Sequence, residues 1–287
     1  MNDFGRYGVW TPWQLWPENA NQLASAALEL ESLGYGSVWL GGSPSDDLDL
    51  AEAILSATTS LVVGTSIVDM WRSNGAVLTA SHDRVSRQFP GRFCLGVGSG
   101  HAPSAEERGE AYVRPLTKLR TFLTGKLGTV PQDQRMVAAL GPKALETARD
   151  LTAGALPYLV PPQHTADARA ILGTDRLLIP EQKVFLGADP AQARSVARRR
   201  TTMYLSLPNY TTMLRRYGLS DEDLAGEGSD RYVDTVVSWG DADTVRASVN
   251  AHLTAGADHI AVQALSADPA PHLPLAELRE LSKILIG

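Results

Sequence analysis

A chain of 287 residues, 44% hydrophobic and 20% charged, has the composition of a folded globular protein and is long enough to bury one large core. Its 32 acidic and 26 basic residues give a net charge of -6, and the dispersed basic residues leave no footprint for nucleic acid or an anionic membrane. The single cysteine excludes an internal disulfide, and the six scattered histidines show no metal-ligand spacing.

The stretch Met1 to Trp10 lacks the basic start and apolar core of a signal peptide, and no apolar run reaches about 18 residues, so a cytoplasmic protein is expected. Tyr7–Trp10 reads as strand 1. Leu23, Ala27, Leu30 and Leu33 then recur at helical spacing up to Gly34. Ser37–Leu40 is strand 2, Leu61–Val68 strand 3 and Arg92–Val97 strand 4, with helices at Leu48–Thr58 and Ala76–Gln88 between them. Met136–Leu140 and Leu156–Val160 are strands 5 and 6, separated by a helix starting near Pro142, although Pro157 interrupts the second. Val184–Leu186 is strand 7 and His259–Gln263 strand 8, the latter after a helix carrying Val245, Val249 and Leu253 on one face and ended by Gly256.

Eight βα units at a period of about 30 residues predict an α/β (β/α)8 TIM barrel in preference to an open doubly wound sheet, with the site at the strands' carboxyl ends. The long stretch between strands 7 and 8, about 188–240, has helical patterns at Ala191–Met203 and Arg231–Trp239 and reads as a helical insertion within one domain, 1–287. Gly218–Asp230, rich in Gly, Ser, Asp and Glu, is expected to be an exposed connection.

Common motifs are absent. Gly41-Gly42-Ser43-Pro44-Ser45 lacks the last glycine of a nucleophile elbow, and Asp46-Asp47-Leu48-Asp49 lacks the glycine and glutamate of a calcium loop, leaving a solvated helix start. Arg198-Arg199-Arg200 points in three directions around a helix, which suits surface ion pairs. Cys94, inside Phe93-Cys94-Leu95, reads as a small buried hydrophobe. The run Gly96-Val97-Gly98-Ser99-Gly100-His101 after strand 4 is not a dinucleotide fingerprint, because His101 stands where its third glycine belongs. It admits two readings: close approach of a flat ring or phosphate to the backbone, or a tight turn.

Gly91-Arg92-Phe93-Cys94-Leu95-Gly96-Val97-Gly98-Ser99-Gly100 resembles the strand 4 signature of the luciferase-like monooxygenases, in the branch that uses the deazaflavin coenzyme F-420. The resemblance extends to Leu33-Gly34-Tyr35-Gly36-Ser37-Val38-Trp39, Gly64-Thr65-Ser66-Ile67, Ala138-Ala139-Leu140-Gly141-Pro142 and Ala255-Gly256-Ala257-Asp258-His259. It implies a barrel, usually a homodimer, that binds a flavin or deazaflavin across the strand ends and exchanges a hydride with it. Ser66 and Ile67 fall on the family's bulge with a non-proline cis peptide under the ring, Asp69 on a nearby ring contact, and Ser99 and Gly100 on the next. Ala138, Ala139, Leu140 and Gly141 match the segment beside the coenzyme's side chain, with Leu140 where the family often has a second glycine. The phosphate is expected at Gln163, His164 and Thr165, which open a helix without the lysine of some relatives.

After strand 2, where several family members carry an acid and a histidine, Trp39-Leu40-Gly41-Gly42-Ser43 supplies neither. His101 is the candidate proton donor or acceptor, with a helix start facing water as its plain alternative. Trp10, Trp13 and Trp71 follow strands 1 and 3 and are candidates for the substrate pocket. The functional expectation is a coenzyme F-420-dependent oxidoreductase acting on a small organic molecule. The alternatives are a flavin mononucleotide (FMN) monooxygenase and a non-catalytic barrel that serves as a binding or subunit partner.

Overall fold

A computed structural model describes residues 4–287. Eleven strands form one sheet, parallel in every pairing: β1 (Tyr7–Pro12), β2 (Ser37–Gly41), β3 (Val62–Thr65), β4 (Val68–Asp69), β5 (Phe93–Gly98), β6 (Arg135–Val137), β7 (Gly154–Ala155), β8 (Leu177–Leu178), β9 (Glu181–Leu186), β10 (Val237–Gly240) and β11 (Ile260–Ala264). Their spatial order is β10-β9-β11-β1-β2-β3-β5-β6-β7-β8, with β4 lying beside β5. The first helices are α1 (Ala20–Ser32), α2 (Asp49–Ala57), α3 (Gly75–Gln88), α4 (Ala102–Glu107) and α5 (Pro115–Thr121). They are followed by α6 (Pro142–Leu151), α7 (Pro162–Leu172), α8 (Pro190–Thr201), α9 (Pro208–Arg216), α10 (Asp230–Val236), α11 (Ala242–Thr254) and α12 (Leu275–Leu285).

The helices start where the sequence supplies caps. Asn19, Asn74, Asp189, Ser229 and Asp241 each accept backbone N–H groups from the turn that follows. Proline opens α5, α6, α7, α8 and α9, where its missing N–H costs nothing. β2, β5 and β11 are buried along their whole length, as expected of parallel strands covered on both faces.

The sheet curls because the segment 177–186 serves both ends of the strand path. β8 pairs with β7, and β9 pairs with β11. Between them, the Ile179 and Glu181 N–H groups donate to Ala155 and Pro157, while the Pro180 carbonyl accepts from Ala261 N. Trp10, Trp39, Val62, Cys94, Met136, Leu156, Ile179 and Ala261 form a core cluster of their own in this curl. Trp39 fits because Gly64 lacks a side chain: a Cβ there would lie 2.3 Å from the indole ring. The Trp39 N–H donates to His259 Nε2 (3.1 Å), whose Nδ1 is bound to the Gly5 carbonyl; burial pushes this imidazole down to about 4, so it stays neutral. The main core fills the layer between sheet and helices. A further cluster, including Leu159, Phe185, Val196, Tyr210, Met213, Tyr232 and Val237, joins β9 and β10 to the helices from α8 to α10.

Several sequence boundaries move. Strand 6 lies at Gly154–Ala155, upstream of Leu156–Val160, because Pro157 has no N–H for the ladder. Strand 3 splits into β3 and β4 around the Ser66–Ile67 peptide, which is cis. The stretch Arg231–Trp239 is not one helix: it turns at Val236 into β10, which joins the sheet beside β9. Residues 188–240 therefore combine helices with a strand that extends the sheet. Cys94 is buried, and its thiol is pushed up to about 12, as the apolar reading expected.

Before β3, the Glu31 carboxylate accepts the backbone N–H groups of Thr59 (2.8 Å), Ser60 (2.6 Å) and Leu61 (3.0 Å). Burial alone would raise its pKa, but these bonds outweigh it and hold the group at about 2, against an ordinary 4.5. Because the folded value is depressed, this stabilisation is fully present above 4.5 and is lost as pH falls toward 2. Glu31→Gln should cost about 1–2 kcal/mol in urea unfolding at pH 7. The gap from wild type should narrow steadily between pH 5 and pH 3; a constant gap would show that the charge is not what matters.

Candidate active site

The end of β3 is tied to β5 through Thr65, whose hydroxyl donates to the Gly96 carbonyl (2.7 Å) and accepts from the Gly96 N–H (2.9 Å). The chain then passes through the cis peptide, and β4 resumes against Val97 and Gly98. Each glycine of β5 and its exit makes room for a group from this crossing. A Cβ on Gly96 would lie 1.9 Å from the Thr65 carbonyl oxygen, one on Gly98 2.8 Å from Ile67, and one on Gly100 2.2 Å from the Asp69 carboxylate. Gly100 also adopts φ +54°, which disfavours any other residue.

Asp69 is only 4% exposed, and its Oδ1 accepts the Trp71 N–H (2.9 Å). Its own N–H donates to the Ser43 hydroxyl (3.0 Å), and the Trp71 indole N–H donates to the Ser99 carbonyl (2.7 Å). Tyr112 donates to the Gly100 carbonyl (2.8 Å). His101 follows at the start of α4, half-buried, with its ring 6.0 Å from that of Tyr210. Burial lowers its pKa and the Asp69 charge opposes the shift, which favours a neutral imidazole at pH 7. The structure thus gathers Ser66, Ile67, Asp69, Trp71, Ser99, Gly100 and His101. Ala138 joins them, hydrogen-bonded to Val97 and 3.3 Å from where a Gly98 Cβ would stand. Ala139 turns into the main core, whereas nothing lies within 4 Å of where a Gly141 side chain would begin.

Trp10 sits apart from Trp71. It is buried, its ring lies 5.0 Å from that of Tyr158, and a Cβ on Gly41 would collide with it at 1.9 Å. Its indole N–H has no protein partner. Trp13 is 39% exposed and donates to the Gly42 carbonyl, placing it on the rim.

Beside Trp10 lies a polar network that the sequence reading did not include. The Tyr204 hydroxyl donates to that of Tyr158 (3.0 Å), which donates to Gln263 Oε1 (3.1 Å). Lys183, fully buried, stands 3.9 Å from the Tyr158 ring centre and 3.2 Å from both Glu181 oxygens. Burial lowers the lysine and raises the glutamate, with each partner opposing the other's shift. The available signal was Glu181 and Lys183 two apart in a strand, a spacing that puts both on one face.

At the third corner, His164 is 1% exposed, and its Nε2 donates to the Leu140 carbonyl (2.8 Å). Its Nδ1 is buried without a partner. Thr165 faces elsewhere: its hydroxyl bonds His252 Nδ1 (2.7 Å), and His252 Nε2 donates to Gln182 (2.8 Å), so that side chain is engaged in the interior.

The chain and its fold resemble known proteins. The family model of the luciferase-like monooxygenases matches residues 6–125. A 5,10-methylenetetrahydromethanopterin reductase of Methanolobus tindarius is 25% identical over 160 residues, 47% of this chain and 49% of that protein, so the match spans about half of the relative's length. The fold as a whole resembles that of an F-420-dependent secondary alcohol dehydrogenase in complex with an F-420–acetone adduct, with TM-score 0.70 and 14% identity over 99% of each chain. It also resembles the oxygenating constituent of 3,6-diketocamphane monooxygenase of Pseudomonas putida in complex with FMN, with TM-score 0.69 and 15% identity over 98% of this chain and 97% of that one. The resemblance carried by the strand 2, 3 and 4 segments is thus borne out by a family-model match over residues 6–125, which is less than half of the chain.

Proposed function

We propose that the chain is a coenzyme F-420-dependent oxidoreductase of a small organic substrate, built as one (β/α)8 barrel domain over 1–287 with residues 188–240 inserted. The observation that carries this reading is the crossing of Ser66 to Asp69 over the glycines of β5, which leaves a half-buried edge of small groups, Ser66, Ser99, Gly100 and Ala138. Such an edge suits a flat redox ring. The open space at Gly141 and the unpartnered Trp10 N–H also fit a ligand bearing polar atoms. The resemblance of the sheet to an F-420-dependent dehydrogenase supports the deazaflavin, and the likeness to an FMN-bound monooxygenase supports FMN as a second reading.

When bound, the deazaflavin supplies hydride transfer. The chain's own residues supply the rest. Ser66, Ile67, Asp69, Ser99, Gly100 and Ala138 would hold the ring, and Trp10 and Tyr158 form an apolar wall on which the substrate can lie with one polar atom toward the indole N–H. Trp71 braces the ring edge by holding the Ser99 carbonyl. His101, with its pKa lowered, is suited to take the proton that must leave or reach the substrate at neutral pH.

Equilibrium fluorescence titration of the purified protein should show at least a tenfold preference for F-420 over FMN, about 1.4 kcal/mol. FMN that copurifies or binds equally well would transfer the assignment to the monooxygenase reading, and binding of neither would favour a non-catalytic partner role.

With a substrate in hand, His101→Ala should lower kcat by about 10²–10⁴ while leaving the melting temperature within a few degrees. If His101 acts as the base, wild-type turnover should fall as pH drops through a value below the ordinary 6.5, and the variant should lack this limb. Wild-type kinetics in the variant would return His101 to a helix-start role.

A further inference from the structure

The end of β2 carries neither an acid nor a histidine, and the structure fills that place from β1. Gly41 leaves the space that Trp10 occupies: a Cβ there would meet the benzo ring of the indole at 1.9 Å. We infer that the wall of Trp10 and Tyr158 receives an uncharged α,β-unsaturated carbonyl compound with an apolar ring, or its saturated partner, the Trp10 indole N–H holding the carbonyl oxygen and His101 serving the α-carbon. The inference rests on the proposed cofactor and names the substrate class of that site.

Three observations converge on the substrate. Trp10 is buried, yet its N–H has no partner, an arrangement that costs free energy unless a ligand or water completes it. Trp10 also borders the candidate ring edge, because Ile67 of the crossing and the half-buried Tyr158 both pack against the core cluster that contains it. The charges at this wall are already paired: Lys183, 3.9 Å from the Tyr158 ring centre, bonds both Glu181 oxygens. A substrate carboxylate or ammonium would be desolvated there without a partner, whereas a flat apolar ring with one oxygen suits the aromatic faces and the single donor.

The placing of protons selects the reaction. An indole N–H donates a hydrogen bond and keeps its proton, so it stabilises negative charge on the oxygen without protonating it. The neighbouring hydroxyls are engaged, Tyr204 with Tyr158 and Tyr158 with Gln263, and burial raises both phenols above the ordinary 10, Tyr204 to about 12. His101 stands two rings away from Trp10: its imidazole is 6.0 Å from Tyr210, which lies 6.4 Å from Tyr158. Direct reduction of a carbonyl needs a proton on the oxygen, whereas conjugate reduction needs it on carbon. In that reaction a hydride from the cofactor forms the new bond to hydrogen at the β-carbon, the π pair of the C=C bond shifts to give an enolate whose oxygen Trp10 holds, and a proton arrives at the α-carbon through His101. In the oxidising direction, neutral His101 takes the α-proton as the hydride leaves the β-carbon for the cofactor.

The test supplies cyclohexenone, and in parallel cyclohexanone, to the protein loaded with reduced F-420 and identifies products by gas chromatography. Cyclohexenone should give cyclohexanone alone, and cyclohexanone should not be reduced. Formation of cyclohexenol or cyclohexanol, or no turnover by protein that binds F-420, would overturn the inference while leaving the cofactor assignment standing. Trp10→Phe should lower kcat on cyclohexenone by about 10²–10³ with F-420 affinity kept within about twofold. Should that variant fail to fold, the wild-type products decide. A second readout needs no cofactor: cyclohexenone should shift one tryptophan indole N–H resonance of the wild type saturably, the one missing from Trp10→Phe or, failing that, from Trp10→Tyr. If F-420 does not bind, the cofactor assignment fails and this resonance still decides about the wall, a saturable shift supporting the carbonyl subsite and an unmoved resonance overturning it.

Discussion

The absence of three side chains on one strand organises this molecule. Gly96, Gly98 and Gly100 alternate along β5 and its exit, and Thr65, Ile67 and Asp69 occupy the spaces their Cβ atoms would fill. A methyl group at any of the three would overlap a neighbour at well below contact distance, so the crossing of residues 65–69 and the glycine run require one another. From that crossing follow the splitting of strand 3, the burial of Asp69, the capture of the Trp71 N–H by the Ser99 carbonyl, and the position of His101. The candidate ring edge is a by-product of close backbone packing.

This corrects how the glycine run is understood from sequence. A Gly-rich exit from a parallel strand signals close approach, but the sequence does not say what approaches, and here much of the space is taken by the protein's own Ile67 and Asp69. The order of strands was legible because βα alternation with buried apolar runs has few parallel arrangements. Strand 6 was displaced because Leu156–Val160 is the more apolar segment, while pairing falls on Gly154–Ala155, where no proline interrupts the ladder. β10 was hidden because Arg231–Val236 does form helix, and the switch to strand at Val237 depends on β9 being there to pair with.

Side-chain partnerships were the least legible. Glu181 and Lys183 lie upstream of the expected strand 7, Val184–Leu186, yet both belong to β9 and are buried, because β9 turns that face toward Tyr158 and Tyr204. Thr165 belongs to the helix start that the resemblance assigns to phosphate, but its hydroxyl is fixed by His252, a residue 87 positions away. Such pairings arise from long-range closure and leave no local pattern. A buried ion pair of this kind is costly to desolvate, so its presence among aromatic rings marks a place where polarity is retained.

The dual use of residues 177–186 has a consequence for how the chain emerges from the ribosome. β1 is made before the other strands of the sheet, but its second neighbour, β11, spans Ile260–Ala264, far later in the chain. Until those residues leave the exit tunnel, the hydrogen-bonding groups along one side of β1 have no partner, and β9 waits for the same strand. The nascent chain therefore carries an open sheet edge while all the residues between β1 and β11 are made, and the contacts that seal it are among those of highest sequence separation. Protein synthesis at roughly 5–20 residues per second makes this exposure last on the order of ten seconds or more, long enough for holding chaperones to influence the yield of native protein.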